Sequence, residues 1–288
     1  MLFRSPIHKN PVTEGQIVKK DAKGIGRGHG ENYVPYLRVG DFGSKGRMHR
    51  ILSLDGRIHH FFSDLERDFY YMLLWEDNIK EIREQFPLNR EITQKIADRA
   101  GIRHPADPKT KVKIVMTTDF LATVFDGQAE KDVAYSVKFA KELSGQRTRE
   151  KQWLEKEYWA YKGVKWYLVT ENSFDRVTAR NIRFLMDYYQ DNIVADIPDA
   201  LLPAVVEQCL RVPHAKVARN CEIVDEIFGL QTGKTLSTLY YYAAHKVVPM
   251  CLNIVWNTWK TDEIVDLEQL HRAWEEGIYD AERAVGSR

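Results

Sequence analysis

KVKIVMTTDFLATVFDGQAEKDVAYSVKFA, residues 111–140, is the stretch whose reading decides the fold. Its first half alternates: Val112, Ile114, Met116, Phe120, Ala122 and Val124 share one face of a strand predicted over 112–124, and Asp119 falls on the other with Thr117 and Leu121. Its second half alternates again over 133–139. Val133, Tyr135, Val137 and Phe139 take one face, which puts Ser136 and Lys138 together on the opposite one. Aspartate is depleted in strands, and a half-buried acid there needs a partner or a metal. A lysine between Val137 and Phe139 has a cost unless its ammonium reaches water, an acid or a phosphate.

Outward from this stretch, a charged helix over about 147–162 precedes a strand at 163–170. Strand, helix, strand at this length predicts a crossover and parallel pairing. Upstream, residues 63–77 read as a helix with Ser63 as N-cap and Leu65, Phe69, Met72 and Leu73 on one apolar face. Glu66 has two readings: Ser63-x-x-Glu66 is a capping box, and Glu66 is also an acid placed to join Asp119 and Lys138. Two acids and a lysine in the order helix, strand, strand suit phosphodiester hydrolysis. Carboxylates hold a hard cation, and a compact ammonium offsets charge that develops on the phosphate.

Length and composition bound the rest. A chain of 288 residues, 44% hydrophobic, has material for one large or two ordinary domains with a real core. It has no apolar run of about 18 residues, so no membrane partner is expected. The N-terminus lacks a signal-peptide pattern, and Cys209, Cys221 and Cys251 match no zinc spacing, so a cytoplasmic protein with reduced thiols is expected. The net charge of +1 announces no polyanion partner.

Local charge says more. Within 19–50, Lys19, Lys20, Lys23, Arg27, Arg38, Lys45, Arg47 and Arg50 outnumber Asp21, Glu31 and Asp41, and Gly24, Gly26, Gly28 and Gly30 alternate. Such a segment resists regular structure. It reads either as a flexible basic arm touching DNA phosphates, with Lys23, Arg27, Arg47 and Arg50 as contacts, or as a solvated tail. The divisions expected are an arm at 1–50, an α/β domain at 51–170 and a mostly helical domain at 171–288.

In the last of these, 178–191, 199–211, 215–228, 234–247 and 266–284 read as helices and 249–256 as a short strand. Gly229 to Thr235 imitates a phosphate loop, but the glycine spacing is one short and a helix precedes it. It is expected to start a helix, with Thr232 as a cap. Lys234, His245 and Lys246 suit phosphate contacts or a solvated face. Tyr240-Tyr241-Tyr242 suits core and interface. The histidines show no metal spacing.

Several stretches together resemble the TnsA family, the endonuclease subunits of Tn-seven-like transposons. They are Gly26 to Leu37, Gly46 to Ile51, His60 to Glu66, Ile82 to Leu88, Gly101 to Pro105, Thr117 to Leu121, Val137-Lys138, Leu154 to Trp159 and, more thinly, Gly233 to Ser237. The resemblance implies a restriction-endonuclease-like N-terminal domain and a winged-helix-like C-terminal domain. It implies cleavage of the 5′ strands at transposon ends with one or two Mg²⁺ ions, Mn²⁺ being able to substitute. It implies DNA, the DDE-type transposase TnsB and the ATPase regulator TnsC as partners in a bacterial cytoplasm. Glu66, Asp119 and Lys138 match the family's catalytic acids and lysine, and the Val137 carbonyl or a water could supply a further metal ligand. Ser136 stands where the family commonly has glutamine, so direct ligation there is in doubt. Glu155 either helps shape the site or is a surface helix glutamate. Two rivals stay open: an autonomous restriction or repair nuclease, and an assembly factor that has lost catalysis.

Overall fold

The computed structural model describes residues 7–8, 11–43 and 47–279. Lys45 and Gly46, and the end of the helix expected over 266–284, lie outside the described residues. Two compact units divide the chain, Met1–Phe174 and Asp175–Arg288.

The first unit runs β1 (Ile7–His8), α1 (Glu14–Ala22), β2 (Phe42–Gly43), β3 (His49–Leu52), β4 (Ile58–Phe61), α2 (Asp64–Trp75), β5 (Ile79–Pro87), α3 (Arg90–Arg99), β6 (Thr117–Phe125), β7 (Glu130–Val137), α4 (Gln146–Tyr161) and β8 (Lys165–Val169). Strands β5-β6-β7-β8 form one sheet in that order. The pairs β5–β6 and β6–β7 are antiparallel, and β7–β8 is parallel, with Val137 opposite Val169. The parallel pairing expected from strand, helix, strand is therefore present, and the unit is α/β.

Both faces of the sheet are covered. On one, Phe120 packs against Phe61 of β4 and Phe69 of α2, and Phe69 also meets Tyr135. On the other, Leu88, Ala97, Met116, Leu121, Ala134, Leu154, Tyr158 and Trp159 make a core shared by α3, α4 and the sheet. This corrects the expected faces of the first strand: Met116 sits with Leu121, while Phe120 points away. The strand is also shorter than 112–124. Ile114 donates to the Pro105 carbonyl and Ala106 bridges Lys113, so 112–116 belongs to a local loop that ends at Thr117.

The basic N-terminal segment is neither a free arm nor a solvated tail over its described residues. Thr13 caps α1 through a reciprocal capping box with Gln16. Tyr33 and Tyr36 are buried, and the Tyr33 hydroxyl donates to the Glu84 carbonyl of β5 at 2.9 Å. Two aromatic anchors offset the ordering entropy of the glycines that precede them, Gly24 to Gly30.

The second unit holds α5 (Arg176–Met186), α6 (Leu201–Arg211), α7 (Val217–Phe228), α8 (Lys234–Ala244), α9 (Thr261–Ile264) and α10 (Leu267–Glu275). Its helical character is as expected. Residues 249–256 form no strand; Met250 makes one isolated bridge to Val265, and Lys216 another to Lys260. The turn before α8 is capped by Asp225, which accepts from the Gly233 and Thr235 amides, so Thr232 is not the cap. Lys234 is spent on the Ile193 and Ala195 carbonyls, and His245 stacks on Tyr189 and packs, tilted, against Tyr241. Neither fits the phosphate contact considered for it. Tyr240 is core, against Phe184 and Tyr188. No helix among the described residues is long and apolar enough to cross a membrane.

Candidate active site

Glu66 lies in the first turn of α2. Ser63 is extended, its hydroxyl accepts from the Glu66 amide at 3.1 Å, and the same hydroxyl donates to Glu66 Oε1 at 3.1 Å. Glu66 Oε2 accepts from the Phe62 amide at 3.0 Å, one residue before the cap. The capping role is therefore present in modified form, and it fixes a carboxylate that also faces inward.

Asp119 lies two residues past the start of β6. Its Oδ2 accepts from the Val137 amide at 2.7 Å, from Lys138 Nζ at 2.8 Å and, more distantly, from Ser136 Oγ at 3.4 Å. The end of β7 thus delivers a backbone donor, a hydroxyl and an ammonium to one carboxylate oxygen. Strand pairing explains this: Phe120 is registered against Tyr135, so the residues past it, Ser136 to Lys138, splay towards Asp119. Lys138 Nζ also donates to the Val137 carbonyl at 2.7 Å.

Two further side chains belong to the same cluster. Gln85 of β5 is buried, and its Nε2 stands 3.4 Å from Glu66 Oε2 and 3.4 Å from Asp119 Oδ1. Glu155 of α4 is only 3% exposed. Its Oε1 accepts from the Thr118 hydroxyl, and from Trp166 Nε1 at 3.1 Å. That overturns the surface reading of Glu155. The helix face that carries Leu154 and Tyr158 into the core takes Glu155 with it. Gln85 had no signal beyond its place in the Ile82 to Leu88 stretch.

Burial, then the charge of Asp119, pushes the Glu66 and Glu155 carboxyls up, each to about 7. Burial works against the Lys138 ammonium, but Asp119 and then Glu66 outweigh it and raise its pKa. The cluster therefore holds a cation at its centre, and its two flanking carboxyls change charge near neutrality.

The oxygen donors suit a hard cation: the Glu66 and Asp119 carboxylates and the Val137 carbonyl. Among the described residues no three His, Cys, Asp or Glu side chains gather as a metal cage. Few protein ligands on an all-oxygen set fit Mg²⁺, which keeps several of its waters, better than a softer ion. Ser136 is 1% exposed and lies against Asp119.

Lys23, Arg27, Arg47 and Arg50 are exposed on the first unit. Arg50 lies opposite His60 in the β3–β4 hairpin that leads into Ser63 and Glu66. Burial raises the Asp64 carboxyl at the start of α2, but His49, then Arg67 and, least, Arg47 outweigh it and lower it.

A family model described as TnsA-like endonuclease N terminal matches residues 76–171, a span that contains Gln85, Asp119, Lys138 and Glu155 and begins after Glu66. The Escherichia coli protein named Transposon Tn7 transposition protein TnsA is 38% identical over 228 residues, 79% of this chain and 82% of that protein. With identity at that level over 79% of its length, the chain belongs to the TnsA family.

Proposed function

We propose that this chain is the Mg²⁺-dependent endonuclease subunit of a heteromeric transposase, hydrolysing the 5′ strands at transposon ends during DNA transposition. The observation that carries the reading is the convergence of Glu66, Asp119 and Lys138 from α2, β6 and the end of β7 on one buried carboxylate cluster. Membership of the TnsA family supports it.

Glu66, Asp119 and the Val137 carbonyl would hold the ion. When bound, Mg²⁺ supplies Lewis-acid stabilisation of the phosphoryl oxygens. The Lys138 ammonium, already beside Asp119, places a compact positive charge where the attacked phosphate gathers negative charge, and orients the attacking water. Glu155 stays behind Asp119 and Thr118, where it shapes the site without adding charge while it keeps its proton. Lys23, Arg27, Arg47 and Arg50 contact DNA phosphates and set register, not sequence.

Sequence choice and the 3′ cuts fall to partners in this reading: a DDE-type transposase such as TnsB, and an ATPase regulator such as TnsC, in a bacterial cytoplasm. Dependence on partners is favoured over autonomous cleavage because Lys234 and His245, two basic groups of the second unit that could have met phosphates, are engaged internally.

Chelation tests the reading. In a reaction reconstituted with the partner subunits, 5′-strand cuts should vanish with EDTA and return with Mg²⁺ or Mn²⁺. Cuts that persist at full rate without a divalent ion would sink it.

A further inference from the structure

Gln85 stands out from its strand. It is 3% exposed and holds φ +49°, the left-handed region, which a residue other than glycine enters at a cost. Such strain persists only where surrounding structure imposes it, and it concentrates at functional sites. The source of the constraint is visible. The N-terminal segment clamps this part of β5: Tyr33 Oη donates to the Glu84 carbonyl at 2.9 Å, and the Tyr36 amide donates to the Gln85 carbonyl at 3.2 Å. The same segment seats Gly26 on Pro87 so closely that an added Cβ would meet the proline ring at 2.2 Å.

The strained backbone aims one amide between two acids. Gln85 Nε2 lies 3.4 Å from an oxygen of Glu66 and 3.4 Å from an oxygen of Asp119. The Thr117 hydroxyl donates to Gln85 Oε1 at 3.2 Å. The Asp119 carboxylate accepts and does not donate, so the amide nitrogen faces it, and the Thr117 hydroxyl on Oε1 fixes that orientation. A neutral donor here draws two mutually repelling carboxylates together without adding charge. Asp119 is then held from both sides, at Oδ1 by Gln85 and at Oδ2 by Val137 and Lys138.

We propose that Gln85 is a positioning residue of the nuclease site: its amide, set by the N-terminal clamp, fixes the separation of Glu66 and Asp119 so that both can ligate one divalent cation. The proposal rests on the nuclease reading above. Groups that orient metal ligands typically change metal affinity by about 10- to 100-fold when removed.

The test is Mn²⁺ titration into the intact protein, followed by the electron paramagnetic resonance of free Mn²⁺. Wild type is compared with Gln85→Met, Gln85→Gly and Asp119→Ala. Glycine relieves the left-handed strain, so Gln85→Gly loses the amide without a folding penalty at that φ. Both Gln85 variants should bind Mn²⁺ about 10-fold more weakly. In the reconstituted cleavage reaction their half-saturating metal concentration should rise by a similar factor, with the rate recovering at saturating metal. Affinity within about twofold of wild type in both variants, with Asp119→Ala still defective, would overturn the role of Gln85 and leave the nuclease reading standing. A rate that stays depressed at saturating metal, with unchanged half-saturation, would overturn it too. No saturable binding by wild type would remove both.

Discussion

The Lys138 ammonium donates to Asp119 Oδ2 at 2.8 Å and to the Val137 carbonyl at 2.7 Å. It therefore lies between two of the oxygens proposed as cation ligands. It neutralises Asp119, and burial makes that neutralisation matter more than it would in water.

Lys138→Met should separate binding from chemistry. Removing the ammonium frees Asp119 Oδ2 and the Val137 oxygen, so Mn²⁺ affinity should hold or rise. Cleavage should fall by about 100-fold or more, because a charge aimed at the transition state is lost. Affinity and cleavage falling together would mean that Lys138 serves the metal alone.

Metal affinity should depend on pH near neutrality. Burial and the Asp119 charge hold the Glu66 carboxyl up at about 7, and a cation must displace that proton. Mn²⁺ affinity should therefore rise with pH through about 7 and level off above it. The check is calorimetric titration in buffers of different ionisation enthalpy, which also counts the proton released. A flat profile with no proton release contradicts the shift.

Glu155 makes the complementary case for stability. Its carboxyl is raised from 4.5 to about 7, so the folded chain keeps a proton that the unfolded chain gives up. Folding stability from this group is full below the ordinary value and falls as pH rises towards about 7. Glu155→Gln should remove that decline and gain on wild type at alkaline pH in urea denaturation. Glu155→Ala strands the Thr118 hydroxyl and the Trp166 indole N–H, at a cost of roughly 2–3 kcal/mol at acidic pH that shrinks as pH rises towards about 7.

Behind β5 lies a buried charge network with no part in the proposed chemistry. Glu84 is fully buried and accepts from Arg57 at 3.2 Å and pairs with His59 at 3.0 Å. Glu84→Ala leaves Arg57 and His59 with only the more exposed Asp55 as counter-ion and should cost about 3–5 kcal/mol. Glu84→Gln should recover part of it, as read by denaturant midpoints. A loss below about 1 kcal/mol for Glu84→Ala would mean that water reaches the network.

Much of the first unit was legible because its signals are local. Ser63 and the apolar face behind it mark α2, and alternation around Tyr135 marks β7. The spacing to β8 gives the parallel pair. Strand β5 was not legible, because Arg83, Glu84 and Gln85 interrupt any apolar alternation and are buried only through partners distant in sequence. Glu155 looked like one more charge on a charged helix; Thr118 and Trp166, which bury it, come from two separate strands. The glycine-rich segment looked unstructured because its order depends on Tyr33 and Tyr36 meeting β5, a tertiary contact that no local pattern announces.

The most direct test of the nuclease reading is strand-resolved cleavage of labelled transposon-end DNA, with Mg²⁺ and the partner transposase and ATPase present. Wild type is compared with Asp119→Ala and Lys138→Ala. The expected result is 5′-strand cutting by wild type alone, with 3′ cuts persisting in all three reactions. Identical 5′ cuts from all three proteins would contradict it, leaving Glu66, Asp119 and Lys138 as a structural cluster in a subunit that assembles the complex without cutting DNA.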